Sequence, residues 1–274
     1  DAAIQTLAYG EPLRLNGVEL TLYPAGHILG AAQVRVALRD EVWVVSGDHK
    51  TEADPTCAPF EPVRCHTFVT EATFGLPIYR WRPQAEVLAA IHAWWRANQD
   101  AGRASLLFGY ALGKAQRVLA GLDPAIGPIF CHGAVERFNG LYRAAGVALP
   151  PTTYTGATGR EVDWSRALII APPSAQASAW TRRFGEVSTA FASGWMRIRG
   201  ARWRRAVDRG FVLSDHADWP GLLGAIAATG AERVWVTHGY SAVLARWLTE
   251  HGLDARPITT PFEGEQGAAV NEEE

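Results

Sequence analysis

Lysine is almost missing from this 274-residue chain: only Lys50 and Lys114 occur, so nearly all of the positive charge is arginine. Arginine grips planar anions with two parallel hydrogen bonds and stacks on bases, whereas lysine is a point charge. Cysteine is scarce too. Cys57, Cys65 and Cys131 are too few for a disulfide framework, and an odd count fits a reducing compartment better than secretion. A cytoplasmic location is therefore expected. No apolar run is long enough to span a bilayer as a helix, and no signal-peptide pattern is visible, so no membrane partner is expected. There is no internal repeat. The formal net charge of -2 excludes a global basic field, so a polyanionic partner must be held by a local patch.

What is present suits a globular protein with a real core: 48% of residues are hydrophobic and 20% charged. The length allows one large domain or two modest ones. The first stretch is β-rich. Residues 17–23 and 33–38 alternate apolar and polar, and a short turn at 39–41 leads into Val42–Ser46, which predicts a hairpin. A further strand is predicted over His66–Glu71. From Pro83 the period changes, and Val87, Leu88, Ile91, Trp94 and Trp95 fall at helical spacing. Ser105–Phe108 and Arg166–Ala171 predict buried strands, with a helix over Lys114–Leu122 between them. This alternation points to an α/β unit. Strands are predicted again over 188–191, 210–213 and 233–237, then a helix over 241–251. The tail from Gly264 is acidic and polar, which predicts disorder.

Polar residues of chemical interest stand where these strands stop. His27, Asp48, Glu71, His216 and His238 each follow or end an apolar run, mostly beside glycine or other small residues. Strand ends along one sheet edge bring sequence-distant residues together. Imidazole and carboxylate are the groups that hydrolytic zinc sites use. Singly, each has a structural reading as a turn, cap or hydrogen-bonded residue. Together they point to a site.

The segments Gly26-His27-Ile28-Leu29-Gly30-Ala31, Ser46-Gly47-Asp48, Thr70-Glu71-Ala72-Thr73-Phe74-Gly75, Ser214-Asp215-His216-Ala217-Asp218 and Thr237-His238-Gly239 resemble the β-CASP branch of the metallo-β-lactamase superfamily. The order and spacing agree over nearly the whole chain. Phe74–Trp81, Ser193-Gly194-Trp195-Met196 and Asp215–Trp219 are most similar to the bacterial DNA-ligase-associated exonucleases. The resemblance implies an αββα sandwich formed by residues 1–78 and 191–274, with an α/β cap inserted over 79–190. It implies two zinc ions, or manganese in their place. His27 and His238 would be ligands, Asp48 would bridge, His216 would donate a proton to the leaving oxygen, and Glu71 would orient His216. The implied activity is hydrolysis of DNA phosphodiester bonds, by a single-strand exonuclease of DNA repair associated with a ligase and a helicase. An RNA-processing nuclease of the same branch and a catalytically dead nucleic-acid-binding homologue are the alternatives. A small-ester hydrolase is disfavoured by the inserted segment and by the arginine cluster below.

The branch also carries a His-x-His-x-Asp-His loop, and none of the eight histidines has that spacing. The resemblance puts the loop upstream of His27, and the chain begins at Asp1 rather than Met. The expectation is an N-terminally truncated sandwich with an incomplete metal site, weak or inactive alone and active at full length.

Arg197, Arg199, Arg202, Arg204, Arg205 and Arg209 fall in one stretch, interleaved with Trp195 and Trp203 and opposed only by Asp208. This composition suits contact with the backbone of single-stranded DNA or RNA; a solvated loop is the alternative. Gly109-Tyr110-Ala111-Leu112-Gly113-Lys114 is not a P-loop, because the glycine spacing is one residue short and Ala115 stands where Ser or Thr is needed. Lys114 could meet a phosphate at the start of its helix, or lie on a plain surface helix. Replacing Arg202, Arg204 and Arg205 together by Ala is expected to weaken single-strand binding and flatten its salt dependence, as read by titration at several ionic strengths. An unchanged salt slope would count against a backbone-contact role.

Overall fold

In the computed structural model the described residues are 4–159, 161–198, 200 and 205–259. The chain divides into two units, Asp1–Arg80 with His216–Glu274, and Trp81–Asp215. The class is α/β, with one mixed and one parallel sheet. The acidic tail from Gly264 lies outside the described residues.

The first unit holds a seven-stranded sheet in the order β1-β2-β3-β4-β5-β12-β13. β1 (Pro12–Leu15), β2 (Val18–Pro24), β3 (Ala32–Leu38) and β4 (Glu41–Val45) pair antiparallel in succession. β5 (Thr67–Glu71), β12 (Arg233–Thr237) and β13 (Asp254–Pro257) add in parallel. The parallel strands need crossovers; a helix over Trp219–Thr229 leads into β12, and one over Ser241–Glu250 joins β12 to β13. Asp218 caps the first of these by accepting from the Gly221 N–H at 2.9 Å, and left-handed Gly230 ends it. Phe68, Val234, Val236, Leu222, Leu244 and Leu248 form the core between helices and sheet. The second sheet of a four-layer sandwich is not among the described strands of this unit.

The second unit is built on six parallel strands ordered β11-β10-β6-β9-β7-β8. They are β6 (Ala104–Phe108), β7 (Ile129–Cys131), β8 (Thr153–Tyr154), β9 (Leu168–Ala171), β10 (Val187–Ala192) and β11 (Arg209–Phe211). β6 and β9 are buried at every residue, as unbroken apolar runs in parallel sheets are. Side chains alternate between faces. Leu107, Leu168 and Ile170 pack with Ile91, Trp94 and Trp95 of α1 (Gln84–Asp100), Val118 and Leu119 of α2 (Lys114–Ala120) and Val135 of α3 (Gly133–Ala144). Leu106, Phe108, Ile169 and Ala171 pack on the other face with Trp164, Ala175, Trp180 and Phe184. Among the described residues, the helices over 219–229 and 241–250 are α4 and α5.

The sequence reading returned the chain to the first unit at residue 191. The structure instead keeps residues up to Asp215 in the second unit. The reason is pairing: Phe191 of β10 stands opposite Phe108 of β6, and Phe211 of β11 opposite Ala192. Phe191, Ala192 and Arg209–Phe211 thus belong to the parallel sheet.

Burial raises the thiol pKa of Cys131 well above its ordinary value and raises that of Cys65 as well, whereas Cys57 is only half-buried. Iodoacetamide at pH 8 is therefore expected to label Cys57 at least ~10-fold faster than Cys131 in the native protein, because only an accessible thiolate reacts. Equal rates, read by peptide mass spectrometry, would contradict the buried position of β7.

Candidate metal centre

His27 sits in the loop between β2 and β3, and the loop is held close to the segment after β4. The Lys50 N–H donates to the Ala25 carbonyl at 3.0 Å, and the Ala25 N–H to the Ala31 carbonyl at 3.1 Å. Gly26 has φ +71°, and a Cβ there would lie 2.2 Å from the Lys50 carbonyl oxygen. Only glycine permits this approach. The result sets His27 Nε2 3.9 Å from Asp48 Oδ2.

Glu71 is the last residue of β5 and is buried. Its Oε1 accepts from His216 Nδ1 at 2.8 Å and from the His49 N–H at 3.3 Å, and its Oε2 accepts from the Thr73 N–H at 2.9 Å. Burial opposes ionisation of Glu71. The neighbouring His216 and His49 rings and these hydrogen bonds outweigh it and hold the carboxyl below the ordinary carboxylate range. With Nδ1 committed to Glu71, His216 is left Nε2 to present. Its ring lies 4.7 Å from that of His27, centroid to centroid, with Phe74 against its other side at 5.9 Å. The Ala217 N–H donates to the His49 carbonyl at 2.7 Å, which fixes the backbone beside His216.

His27, Asp48 and His216 each offer a ligand atom, all within 4.8 Å of one another. Two imidazoles and a carboxylate are the donor set of a borderline ion such as zinc. Ligands bonding at about 2.1 Å in tetrahedral geometry lie about 3.4 Å apart, so a 3.9 Å pair needs only a small adjustment. The residues fit one divalent ion with a position left open.

His238 follows β12 at the same sheet end, since Thr237 is in register with Glu71. It is not one of the three grouped residues. Its φ is +56°, and its Nδ1 lies 3.2 Å from Thr237 Oγ1. Sequence reasoning put His238 among the ligands and His216 outside them; the structure gathers His216 with His27 and Asp48. It also shows what that reasoning missed, His49. The ring is buried, and burial pushes its pKa below the ordinary histidine value. Its peptide connects Glu71 to Ala217. Nothing in the alternation pattern marks it, although it stands next to Asp48.

The expected nucleic-acid contacts lie in the second unit. Arg197 is exposed at the end of a short 3-10 helix, and the Arg205 guanidinium lies 5.0 Å from the Phe191 ring centroid. Arg199, Arg202 and Arg204 lie outside the described residues. Lys114 departs from its expected role. It is buried, its Nζ lies 2.9 Å from Asp215 Oδ2, and its charge is taken up inside the unit rather than offered to a phosphate. The start of α2 is occupied too, because the Gln116 side chain accepts from the Gly113 N–H at 2.8 Å.

No family model matches the sequence. The chain is 33% identical over 257 residues to a protein named probable DNA ligase from Opitutus terrae, covering 92% of this chain and 25% of that protein. It is 32% identical over 124 residues to endoribonuclease YSH1 of Yarrowia lipolytica, covering 44% of this chain and 14% of that one. The Saccharomyces cerevisiae YSH1 is 30% identical over 124 residues, covering 44% and 15%. The chain thus spans a quarter or less of the length of these relatives. A crystal structure of a protein of unknown function from Enterococcus faecalis V583 superposes with a TM-score of 0.58 at 10% identity, over 95% of this chain and 66% of that chain. That likeness is one of fold. The likenesses to the named proteins support a relationship with the β-CASP branch.

Glu71→Ala would leave the His216 ring and two buried N–H groups without their acceptor. A loss of about 3–5 kcal/mol is expected, the cost of breaking a buried charged pair, with a smaller loss for Glu71→Gln. Urea unfolding followed by tryptophan fluorescence measures it. A Glu71→Ala midpoint equal to that of an exposed substitution such as Glu232→Ala would refute the buried pairing.

Proposed function

We propose that this chain supplies part of the active site of a metal-dependent nuclease that hydrolyses phosphodiester bonds in single-stranded DNA, working from an end. The observation that carries this reading is the convergence of His27, Asp48 and His216, with the His216 ring held by Glu71. The likeness to a probable DNA ligase over 92% of the chain favours DNA and a setting in strand repair, in functional association with a ligase and a helicase in the cytoplasm. The expected αββα core and β-CASP cap belong to the same reading, with the cap extended to Asp215.

His27 and Asp48 would hold a divalent ion, zinc or manganese. Such an ion, when bound, polarises a phosphoryl oxygen and makes hydroxide available at neutral pH. A second ion requires ligands beyond the three grouped residues, with His238 and the branch's His-x-His-x-Asp-His loop as their source. In hydrolysis an oxygen–phosphorus bond forms and the ester bond to the leaving oxygen breaks. That oxygen takes a proton from His216 Nε2, while Glu71 keeps the ring in place through Nδ1. The alternative, an endonuclease acting on RNA, is favoured by the likeness to YSH1 over 44% of the chain. Absence of turnover with retained strand binding would identify a nucleic-acid-binding homologue instead.

The test is degradation of matched, end-labelled DNA and RNA oligonucleotides with zinc or manganese, using this chain and a longer polypeptide that carries the His-x-His-x-Asp-His loop. The longer polypeptide is expected to shorten single-stranded DNA progressively, and His27→Ala and Asp48→Asn to lose at least ~100-fold in rate as the ion is released. His216→Ala should lower turnover with ion affinity unchanged if His216 is the proton donor, and lower ion affinity if it is a ligand. No hydrolysis of either nucleic acid by the longer polypeptide would sink the proposal.

A further inference from the structure

A cleft of about 270 Å³ opens in the second unit, and its lining includes Arg82, Glu86, Arg197, Arg209, Gly210 and Phe211. Three guanidinium groups stand against one carboxylate, so the lining is cationic. The charges come from three separate segments. Arg82 and Glu86 flank the start of α1, Arg197 ends the 3-10 helix Gly194–Arg197, and Arg209 opens β11.

The segments are brought together by packing. A Cβ on Gly210 would lie 2.9 Å from Met196 Sδ and 3.2 Å from Met196 Cβ. Glycine at this position lets the short helix carrying Arg197 close against β11. Phe211 is buried in the floor, edge-to-face with Trp94 at 5.7 Å. The Arg209 guanidinium lies 5.3 Å from the Phe211 ring centroid, within cation–π range. The lining thus joins an aromatic ring and aliphatic side chains to three arginines.

That combination suits an anion attached to an apolar or planar body. Arginine forks match phosphate oxygens. The volume is at the low end of ligand pockets, room for about one nucleotide unit. In a chain of net charge -2, this concentration of arginine is a local device of the kind a polyanion requires.

We propose that the cleft is a strand-anchoring subsite, which takes one backbone phosphate of single-stranded nucleic acid on Arg82, Arg197 and Arg209. It rests on the nucleic-acid reading above, and it adds Arg82, from the start of α1, to the arginine stretch. Glu86 opposes the phosphate and limits its affinity.

The experiment is fluorescence-anisotropy titration of a labelled single-stranded oligonucleotide with the full chain at several salt concentrations, alongside the hydrolysis assay. The double variant R82Q/R209Q is expected to bind ~10-fold more weakly. Its log–log salt slope should fall by about 0.7, the share of one single-strand phosphate. E86Q is expected to bind a few-fold more tightly, and R137Q, on α3, to bind as the wild type does. Circular dichroism checks the fold, and R82Q alone replaces the double variant if that is misfolded. Wild-type affinity and slope in R82Q/R209Q, or weaker binding by E86Q, overturns the proposal. If those variants are unaffected while hydrolysis proceeds, the cleft fails and the nuclease reading stands. If they weaken binding but no form hydrolyses a strand, the cleft stands and the nuclease reading fails. A wild-type chain that binds no strand overturns the cleft proposal outright.

Discussion

One buried carboxylate organises the candidate site. Glu71 ends β5, and its two side-chain oxygens gather groups from three segments. They accept the His216 ring, the His49 N–H and the Thr73 N–H. Leaving an ionised carboxylate in the interior is costly unless it is paired and hydrogen-bonded, so each of these groups is held where the carboxylate needs it. The segment after β4, the turn after β5 and the approach to α4 are thereby fixed to one atom group. His27 joins from the far side because Gly26 lets its loop touch the Lys50 carbonyl.

Much of the fold was legible because its strands and helices carry strong periodicity. β2 to β6, α1, β9, β10, β12 and α5 fall within a few residues of their sequence-based bounds. What was not legible has physical causes. β1 is four residues long and exposed throughout, so no buried face marks it. β7 and β8 are three and two residues, too short for a period to show. α4 has nearly uniform hydrophobicity and begins with Pro220 at its second position, so an amphipathic pattern is weak. α3 buries one face through Val135, Asn139 and Tyr142, and the polar Asn139 at its centre interrupts the apolar pattern. The sequence shows no end to the second unit at Asp215, because β11 is an edge strand of three residues, and pairing, not composition, decides which sheet owns it.

The site was legible as a set of residue types at strand ends and less so as a geometry. Alternation shows where a strand stops; it does not show which way a ring then turns. His238 stands at the right sheet end with left-handed backbone and a bond to Thr237, whereas His216 turns in beside His27. Lys114 was read as a surface charge because a helix start and a lysine suggest one. Its burial against Asp215 is a long-range pairing that no local pattern encodes.

Glu71 and His216 are separated by 145 positions in the sequence. On a ribosome adding about 5–20 residues per second, the carboxylate emerges roughly 7–30 s before the imidazole it binds. During that interval β5 is an apolar strand with an uncompensated acid at its end and without β12, its parallel neighbour. The intervening chain is the second unit, whose parallel sheet is built from its own strands. Once formed, it replaces a long flexible loop by a folded body, and the entropy of joining the two parts of the first unit no longer grows with the number of residues inserted. The time order of synthesis thus favours assembling the insert first and the candidate site last.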